Sequence, residues 1–154
     1  MKLFTKIRTL MPMLFLLLGT IPVSAVERPM ALKGGGVATL ITNEAGIPIG
    51  AIATGSGTAT HLGQWTVTGN VTYTPDNGVL RSSGQATLTA SNGDKLHFQV
   101  DGILDPVAGV DQGLFHFVGG TGRFEGASGS VNFVVTINPL TGGFDLTAVG
   151  NINY

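Results

Sequence analysis

Alternation of apolar and polar residues with a period of two is the feature that most restricts the fold of this chain. From Gln64 to Thr74 the odd-numbered positions carry Trp, Val, Gly, Val and Tyr, and the even-numbered positions carry Gln, Thr and Asn. Successive side chains of a β-strand point to opposite faces, so this pattern predicts a strand with one buried face and one polar face. The same period recurs over Leu80–Ala90, Lys95–Asp101 and Phe144–Tyr154.

Residues typical of turns separate the alternating runs. Asp76-Asn77-Gly78 and Ser91-Asn92-Gly93-Asp94 suit tight hairpins, because Asn and Gly tolerate positive φ. Short strands at this spacing are typical of a sandwich or a barrel. We predict an all-β fold, an eight-stranded antiparallel β-barrel, because closure leaves no exposed edge strand. The predicted strands are Val37–Thr42, Ile49–His61, Gln64–Thr74, Leu80–Ala90, Lys95–Gly102, Gly113–Val118, Gly129–Asn138 and Gly143–Tyr154.

The first 25 residues have the layout of a secretory signal peptide. Basic residues precede an apolar run from Leu10 to Gly19, and Val23-Ser24-Ala25 supplies the small residues of a cleavage site. This order predicts cleavage after Ala25 and a secreted or periplasmic protein. An uncleaved membrane anchor is the alternative, but the apolar run is shorter than the roughly 20 residues that a spanning helix needs. We therefore expect a signal peptide over residues 1–25 and a single barrel domain over residues 26–154.

Composition excludes several classes of function. The 154 residues include no Cys, which rules out a disulfide framework, a Cys-based metal site and a Cys nucleophile. After removal of residues 1–25, five basic and nine acidic residues remain, so the net charge is −4. There is no basic surplus to hold a phosphate backbone, and we expect no nucleic-acid partner.

Most of the aromatic residues after residue 25 share the apolar parity of their strands, and only Phe124 falls in a turn. The inward positions of the strand from Ala51 to Ala59 carry only Ala and Gly. Rings that face small residues can form the packed core of a tapering barrel or the walls of a narrow apolar pocket, and both interpretations stay open. The inward aromatic residues are Trp65, Tyr73, Phe98, Phe115, Phe117, Phe133, Phe144 and Tyr154.

The predicted interior contains no charged side chain. No Asp, Glu, Lys or Arg has inward parity on a well-defined strand, and general acid–base catalysis needs a titratable group beside the substrate. We therefore predict no catalytic residue and no cofactor, and favour a binding or structural role. The candidate ligand-binding residues are His61, Trp65, Tyr73, Phe98, Phe115, Phe117 and Tyr154.

Histidines are the remaining candidates for chemistry. His61 ends the strand of small residues near a barrel rim, where it could bind a ligand, act as a base or bond a loop carbonyl. His97 and His116 have outward parity and no paired spacing, so we predict no metal site.

The segment Phe115–Val131 (FHFVGGTGRFEGASGSV) resembles a signature of plant allene oxide cyclases and dirigent proteins. Those families carry a strand, a Gly-Gly-x-Gly turn, an aromatic residue, Gly-Ala and a further Gly before the next strand. Much of the remainder, including Gly57–Gly63, looks like exported bacterial β-rich proteins of the same superfamily. The resemblance implies an eight-stranded antiparallel barrel, often trimeric, with an apolar cavity.

The resemblance does not carry the cyclase activity with it. Allene oxide cyclases use an acidic residue two positions before an Asn on their first strand. If Asn43 matches that Asn, the acidic position is Ile41, and Glu44 has the wrong spacing. For dirigent proteins, the Gly-rich turn can be matched but the polar cavity residues cannot.

A homotrimer has some support that is independent of the resemblance. Leu114, Val118 and Val134 have outward parity, and an apolar stripe outside a barrel suggests a partner surface. The alternative is that the N-terminal segment of the same chain covers this stripe.

Three functional hypotheses follow. The first is an exported, non-enzymatic barrel that binds a small hydrophobic molecule or acts as an interaction or structural module. The second is a cyclase-type or isomerase-type enzyme, which predicts a buried acid or base. The third is a small outer-membrane barrel with its apolar positions facing lipid, although several glycines would dilute that face. We expect no stable membrane insertion.

Overall fold

The computed structural model describes residues 26–154, and the predicted signal peptide lies outside them. The eight strands are antiparallel to their neighbours, and β1 pairs with β8 to close the barrel, as predicted. A 3₁₀ turn, Gly122–Phe124, lies between β6 and β7. The strands are β1 Glu27–Thr42, β2 Pro48–Ala59, β3 Gly63–Asp76, β4 Val79–Ala90, β5 Lys95–Asp105, β6 Val110–Gly120, β7 Ser128–Ile137 and β8 Gly143–Asn153.

Two strands begin three or more residues earlier than the sequence predicted. β1 begins at Glu27 rather than Val37, because Met30 and Leu32 already have inward parity and the three glycines that follow continue the strand. β6 begins at Val110 rather than Gly113. The second difference adds the inward position 111 to the barrel wall.

Apolar positions point inward, as the alternation predicts. Trp65, Phe98, Phe117 and Phe133 are almost completely buried, and the small residues of β2 lie on the same inner side. Within residues 26–154, no helix is long and apolar enough to span a bilayer.

The two ends of the barrel differ. We call the end that carries the β1–β2, β3–β4, β5–β6 and β7–β8 connections the open end. The other end, with the start of β1 and the remaining three connections, is the closed end. Phe124 plugs the closed end with none of its surface exposed, although the sequence placed it only in a turn. Its ring meets the ring of Tyr154 edge-on, with 5.2 Å between centroids, and Leu62 is buried in the same cluster.

Trp65 packs over two glycines in the half of the barrel nearer the closed end. A Cβ atom at Gly34 would lie 2.6 Å from the Trp65 ring, and one at Gly57 would lie 2.5 Å from it. These distances are far below van der Waals contact, so only glycine leaves room for the indole. The ring fills the barrel here, where β1 and β2 contribute no side chain.

Candidate functional site

An apolar cavity of about 90 Å³ lies inside the barrel toward the open end. Small side chains from β1 and β2, among them Ala38, Ala51 and Ala53, form one wall. Aromatic rings from the later strands form the other wall. Phe115 and Phe133 are stacked there with centroids 4.1 Å apart. The contrast between small and aromatic residues leaves this space unfilled. Both sequence interpretations therefore hold, with packing toward the closed end and a cavity toward the open end.

Asp111 also lines this cavity, and it corrects the prediction that no charged side chain faces inward. It is only 6% exposed, and among the described residues it is the sole charged member of the cavity lining. The prediction was wrong because the strand was taken to begin at Gly113. Once β6 is extended to Val110, Asp111 has the same parity as Phe115.

Ser82 is the hydrogen-bond partner of Asp111. The Ser82 hydroxyl donates to Oδ1 of Asp111 over 2.7 Å, and Ser82 is 1% exposed. Gly102, opposite Ser82 on β5, makes room for the pair. A Cβ atom at Gly102 would lie 2.6 Å from the Ser82 oxygen, 2.8 Å from the Phe133 ring and 2.9 Å from Oδ1 of Asp111.

Burial changes the protonation chemistry of the cavity. Loss of solvation raises the pKa of Asp111 from 3.8 to about 6, although hydrogen bonds from Ser82 and the Gln112 backbone partly oppose the change. Burial is the main cause that raises the pKa of Tyr73 to about 12, and the negative charge of Asp111 adds to the effect. At neutral pH the cavity therefore holds a carboxylate and a neutral phenol. The carboxylate can take up a proton within the physiological range.

The predicted ligand-binding residues divide between the two ends of the barrel. Tyr73, Phe98 and Phe115 line the cavity. Trp65 and Phe117 are buried in the main core outside the cavity lining. The structure thus brings three of the predicted residues together with Asp111 and Ser82, which the sequence analysis did not find.

His61 and Tyr154 lie at the closed end, away from the cavity. The Nε2–H of His61 donates to the Pro29 carbonyl over 2.9 Å. Pro29 lies in β1, so this is a contact with a strand and not with the loop carbonyl that the sequence left open. Arg28 lies 4.6 Å above the Tyr154 ring, and its Nη1 donates to the Tyr154 hydroxyl over 3.1 Å. The His61 ring also contacts the Tyr154 ring, edge-on, with 5.7 Å between their centroids.

Residues matched to the cyclase pattern take part in a turn. The Asn43 side-chain oxygen accepts hydrogen bonds from the backbone N–H groups of Ala45 and Ile47, both over 3.0 Å. Ile41 points outward and is half exposed. The acid of the cavity comes from β6 instead of β1, so Asp111 does not occupy the position of the cyclase acid. Among residues 26–154, no cluster of three or more His, Cys, Asp or Glu side chains could hold a metal ion.

The fold matches solved dirigent proteins, in agreement with the resemblance. The pterocarpan synthase dirigent protein PsPTS1 superposes with a TM-score of 0.56 at 12% sequence identity, over 84% of this chain and 95% of that one. The pterocarpan synthase dirigent protein GePTS1 gives a TM-score of 0.55 at 15% identity, over 84% and 93%. No protein-family model and no curated protein matches the sequence. The chain therefore has a dirigent-like barrel fold.

Proposed function

We propose that the mature chain is an exported barrel that binds a small, largely apolar molecule in the open-end cavity. The observation that carries this proposal is an unfilled apolar space with one buried carboxyl group, that of Asp111. A carboxylate buried without a counter-charge costs free energy, and such groups concentrate at functional sites. Tyr73 and Asp111 supply the polar contacts that orient the ligand, while the phenylalanines supply its apolar contacts.

A variant that fills the cavity tests this proposal. Ala53→Leu adds side-chain volume to the cavity lining, and Thr54→Leu places the same side chain at the next position, which is exposed. Each protein is purified from the native source without detergent and examined by native mass spectrometry. We expect a bound small molecule with wild type and with Thr54→Leu, and none with Ala53→Leu. A wild-type protein that carries no ligand would shift the function to a structural or interaction role of the outer surface.

An enzyme is the second candidate, and Asp111 is the observation that favours it. The two matched dirigent proteins are named pterocarpan synthases, and a cyclase or isomerase requires a buried acid or base. A carboxyl group with a pKa of about 6 is suited to proton transfer near neutral pH. Recovery of the bound molecule chemically unchanged after prolonged incubation favours binding. Conversion that stops in Asp111→Asn while the ligand still binds favours the enzyme.

Export is part of the proposal because the N-terminal segment has the layout of a signal peptide. We expect the mature protein in the periplasm or the medium. N-terminal sequencing should find Val26 as its first residue. An N-terminus at Met1 in the exported fraction would contradict cleavage.

A homotrimer is proposed through the outer faces of β6 and β7. Val118 and Val134 are 53% and 43% exposed there, and Leu114 is half buried. The segment from Glu27 to Gly36 forms part of β1 between β2 and β8, so these residues do not cover the stripe. Light scattering at tens of micromolar should give three times the monomer mass, and a monomer mass would rule the trimer out.

The outer-membrane alternative is less well supported by the arrangement of side chains. The outward positions of β3 between Gln64 and Thr74 are all Thr, Asn or Gln, and the large apolar residues of that strand point inward. Outer-membrane barrels place apolar residues outward over a continuous band. Purification of the mature protein without detergent would exclude this alternative.

A further inference from the structure

We infer that the ligand of the open-end cavity is a small cation with an apolar body, an alkylammonium ion whose positive charge pairs with the Asp111 carboxylate. This inference rests on the proposed function and adds the chemical class of the ligand. It follows from three features of the described residues: the partners of Asp111, the aromatic rings that line the cavity and the distribution of charge between the barrel ends.

The partners of Asp111 leave its charge uncompensated. Its side chain accepts a hydrogen bond from Ser82 over 2.7 Å, and within residues 26–154 no Lys, Arg or His lines the cavity. Tyr73, the other titratable group of this lining, is neutral below its pKa of about 12. A buried carboxylate needs a counter-charge to offset its lost solvation. The described cavity wall supplies none, so at a pH where Asp111 is ionised a cationic ligand would supply it.

The aromatic wall supplies contacts for the apolar body of the ligand. Phe98 and Phe115 have ring centroids 4.6 Å apart, and Phe115 stacks on Phe133. These rings line the same cavity as Asp111. Because Phe115 and Phe133 turn a face to each other, their contribution is apolar contact rather than attraction of charge. An anion would face the Asp111 carboxylate, so the site disfavours it.

The charged residues at the open end also favour a cationic ligand. Glu44 lies in the β1–β2 connection, Asp76 and Asp105 end β3 and β5, and Asp145 lies near the start of β8. In the part of the chain that the structure describes, the basic residue at this end is Arg81, whose Nε lies 3.0 Å from Oδ2 of Asp76 and is therefore already paired. Acidic groups around the entrance of an apolar cleft raise the local concentration of cations.

Basic residues gather in the other half of the barrel. Arg28 and Lys33 lie in the first half of β1, Lys95 begins β5, and Arg123 lies in the β6–β7 connection. With the acidic Glu27, Asp94 and Glu125, the closed end has a net charge of +1, whereas the open end is negative. The excess of negative charge lies at the end that holds Asp111.

Cavity size limits the ligand. A space of about 90 Å³ is smaller than the roughly 150 Å³ of an engineered cavity that holds benzene. A branched alkyl group of four carbons is a suitable probe. Leu40 and Ile49, partly exposed on the paired strands β1 and β2 near the open end, provide apolar contacts for a longer tail.

The test compares isobutylammonium with isobutyl alcohol, which has the same shape and no charge. Binding to the full mature chain is followed at pH 8 by NMR shifts of the methyl groups that line the cavity. The Asp111→Asn variant removes the cavity charge, and Asp145→Asn removes an exposed charge at the same end as a matched control. We expect the ammonium ion to bind wild type and Asp145→Asn about tenfold more tightly than the alcohol. In Asp111→Asn this preference should disappear.

The same titration at pH 5 provides a second measurement. Asp111 is then mostly protonated, Tyr73 remains neutral, and the amine keeps its charge, so ammonium binding should weaken about tenfold while alcohol binding stays constant. Alcohol binding that equals or exceeds ammonium binding at pH 8 would overturn the cationic class and leave the cavity as an apolar binding site. Absence of binding by both probes would overturn the proposed function as well. Thermal unfolding of Asp111→Asn verifies that the variant is folded.

Discussion

Phe124, Leu62 and Tyr154 fill the closed end of the barrel, whereas at the open end the same eight strands leave a cavity around Asp111. The strands are continuous between the two ends, so the difference arises from the inward side chains and from the connections, where Phe124 and Leu62 lie. The closed end has large rings over small residues in direct contact, as Trp65 lies over Gly34 and Gly57. At the open end the small residues of β1 and β2 face a space. The comparison indicates that close packing is concentrated at one end and the proposed binding site lies at the other.

The largest expected effect on stability comes from truncating Phe124, the ring that fills the closed end. Phe124→Ala removes a ring with no exposed surface and should lower the free energy of unfolding by about 3–5 kcal/mol. Phe144→Ala, at a partly exposed ring of the open-end cavity, should cost clearly less because the site is already loosely packed. Urea denaturation of both variants measures the difference. Equal losses in the free energy of unfolding would mean that the two ends contribute equally to stability.

Removal of the buried charge should increase stability. The pKa of Asp111 is about 6 in the folded protein, against an ordinary value of 3.8, so the folded state holds its proton more tightly than the unfolded chain does. This group therefore lowers stability as pH rises from about 4 to 6, by up to about 3 kcal/mol in total. Asp111→Asn should be more stable than wild type at pH 7.5 by about that amount and equally stable at pH 4. Asp145→Asn, the exposed control, should show no such pH dependence, and neutral-pH destabilisation by Asp111→Asn would contradict the argument.

A substitution at Gly102 tests whether the packing around Asp111 affects the pKa of its carboxyl group. Gly102→Ala would push a methyl group against Ser82, Asp111 and Phe133, and should cost about 1–3 kcal/mol. Gly143→Ala is the matched control, since the atom nearest to its Cβ would be the Thr141 hydroxyl oxygen, at 3.2 Å. NMR titration of the Asp111 carboxyl should show a changed pKa in Gly102→Ala alone. An unchanged pKa would mean that Ser82 and Asp111 do not depend on this space.

The smallest effect is expected from Arg28. Arg28→Gln removes the contact with the face of Tyr154 and should cost about 0.5–1 kcal/mol. Because this contact lies at the closed end, binding of isobutylammonium in the cavity should be unchanged. Thermal unfolding measures the loss of stability, and the same NMR titration measures the affinity for isobutylammonium. A loss of ligand affinity would show that the two ends are coupled.

The sequence predicted the fold well and the site only in part, for reasons that particular residues illustrate. In β3 each apolar residue alternates with a polar one, and the predicted strand differs little from the observed one. The first part of β1 was missed because Gly34, Gly35 and Gly36 give no apolar alternation. Their place in the wall is determined by pairing with β2 and β8.

Asp111 was missed for a related reason. A polar residue after a turn and before Gly113 is normally taken as part of a loop, and its inward direction depends on pairing with Leu104 and Val135. Alternation identifies residues that avoid water. It does not identify a carboxyl group that is buried despite its preference for water. Pairing between strands far apart in the sequence supplies that information.

The pairing of β1 with β8 also determines the order of events in biogenesis. Glu27 lies opposite Asn153, so the barrel wall cannot close until both of these strands have left the ribosome. Contacts between residues so distant in sequence form late and slowly, because a long loop must be ordered first. Until then the edges of β1 and β7 are unpaired. Delayed closure would therefore leave the barrel open during the interval in which the proposed export takes place.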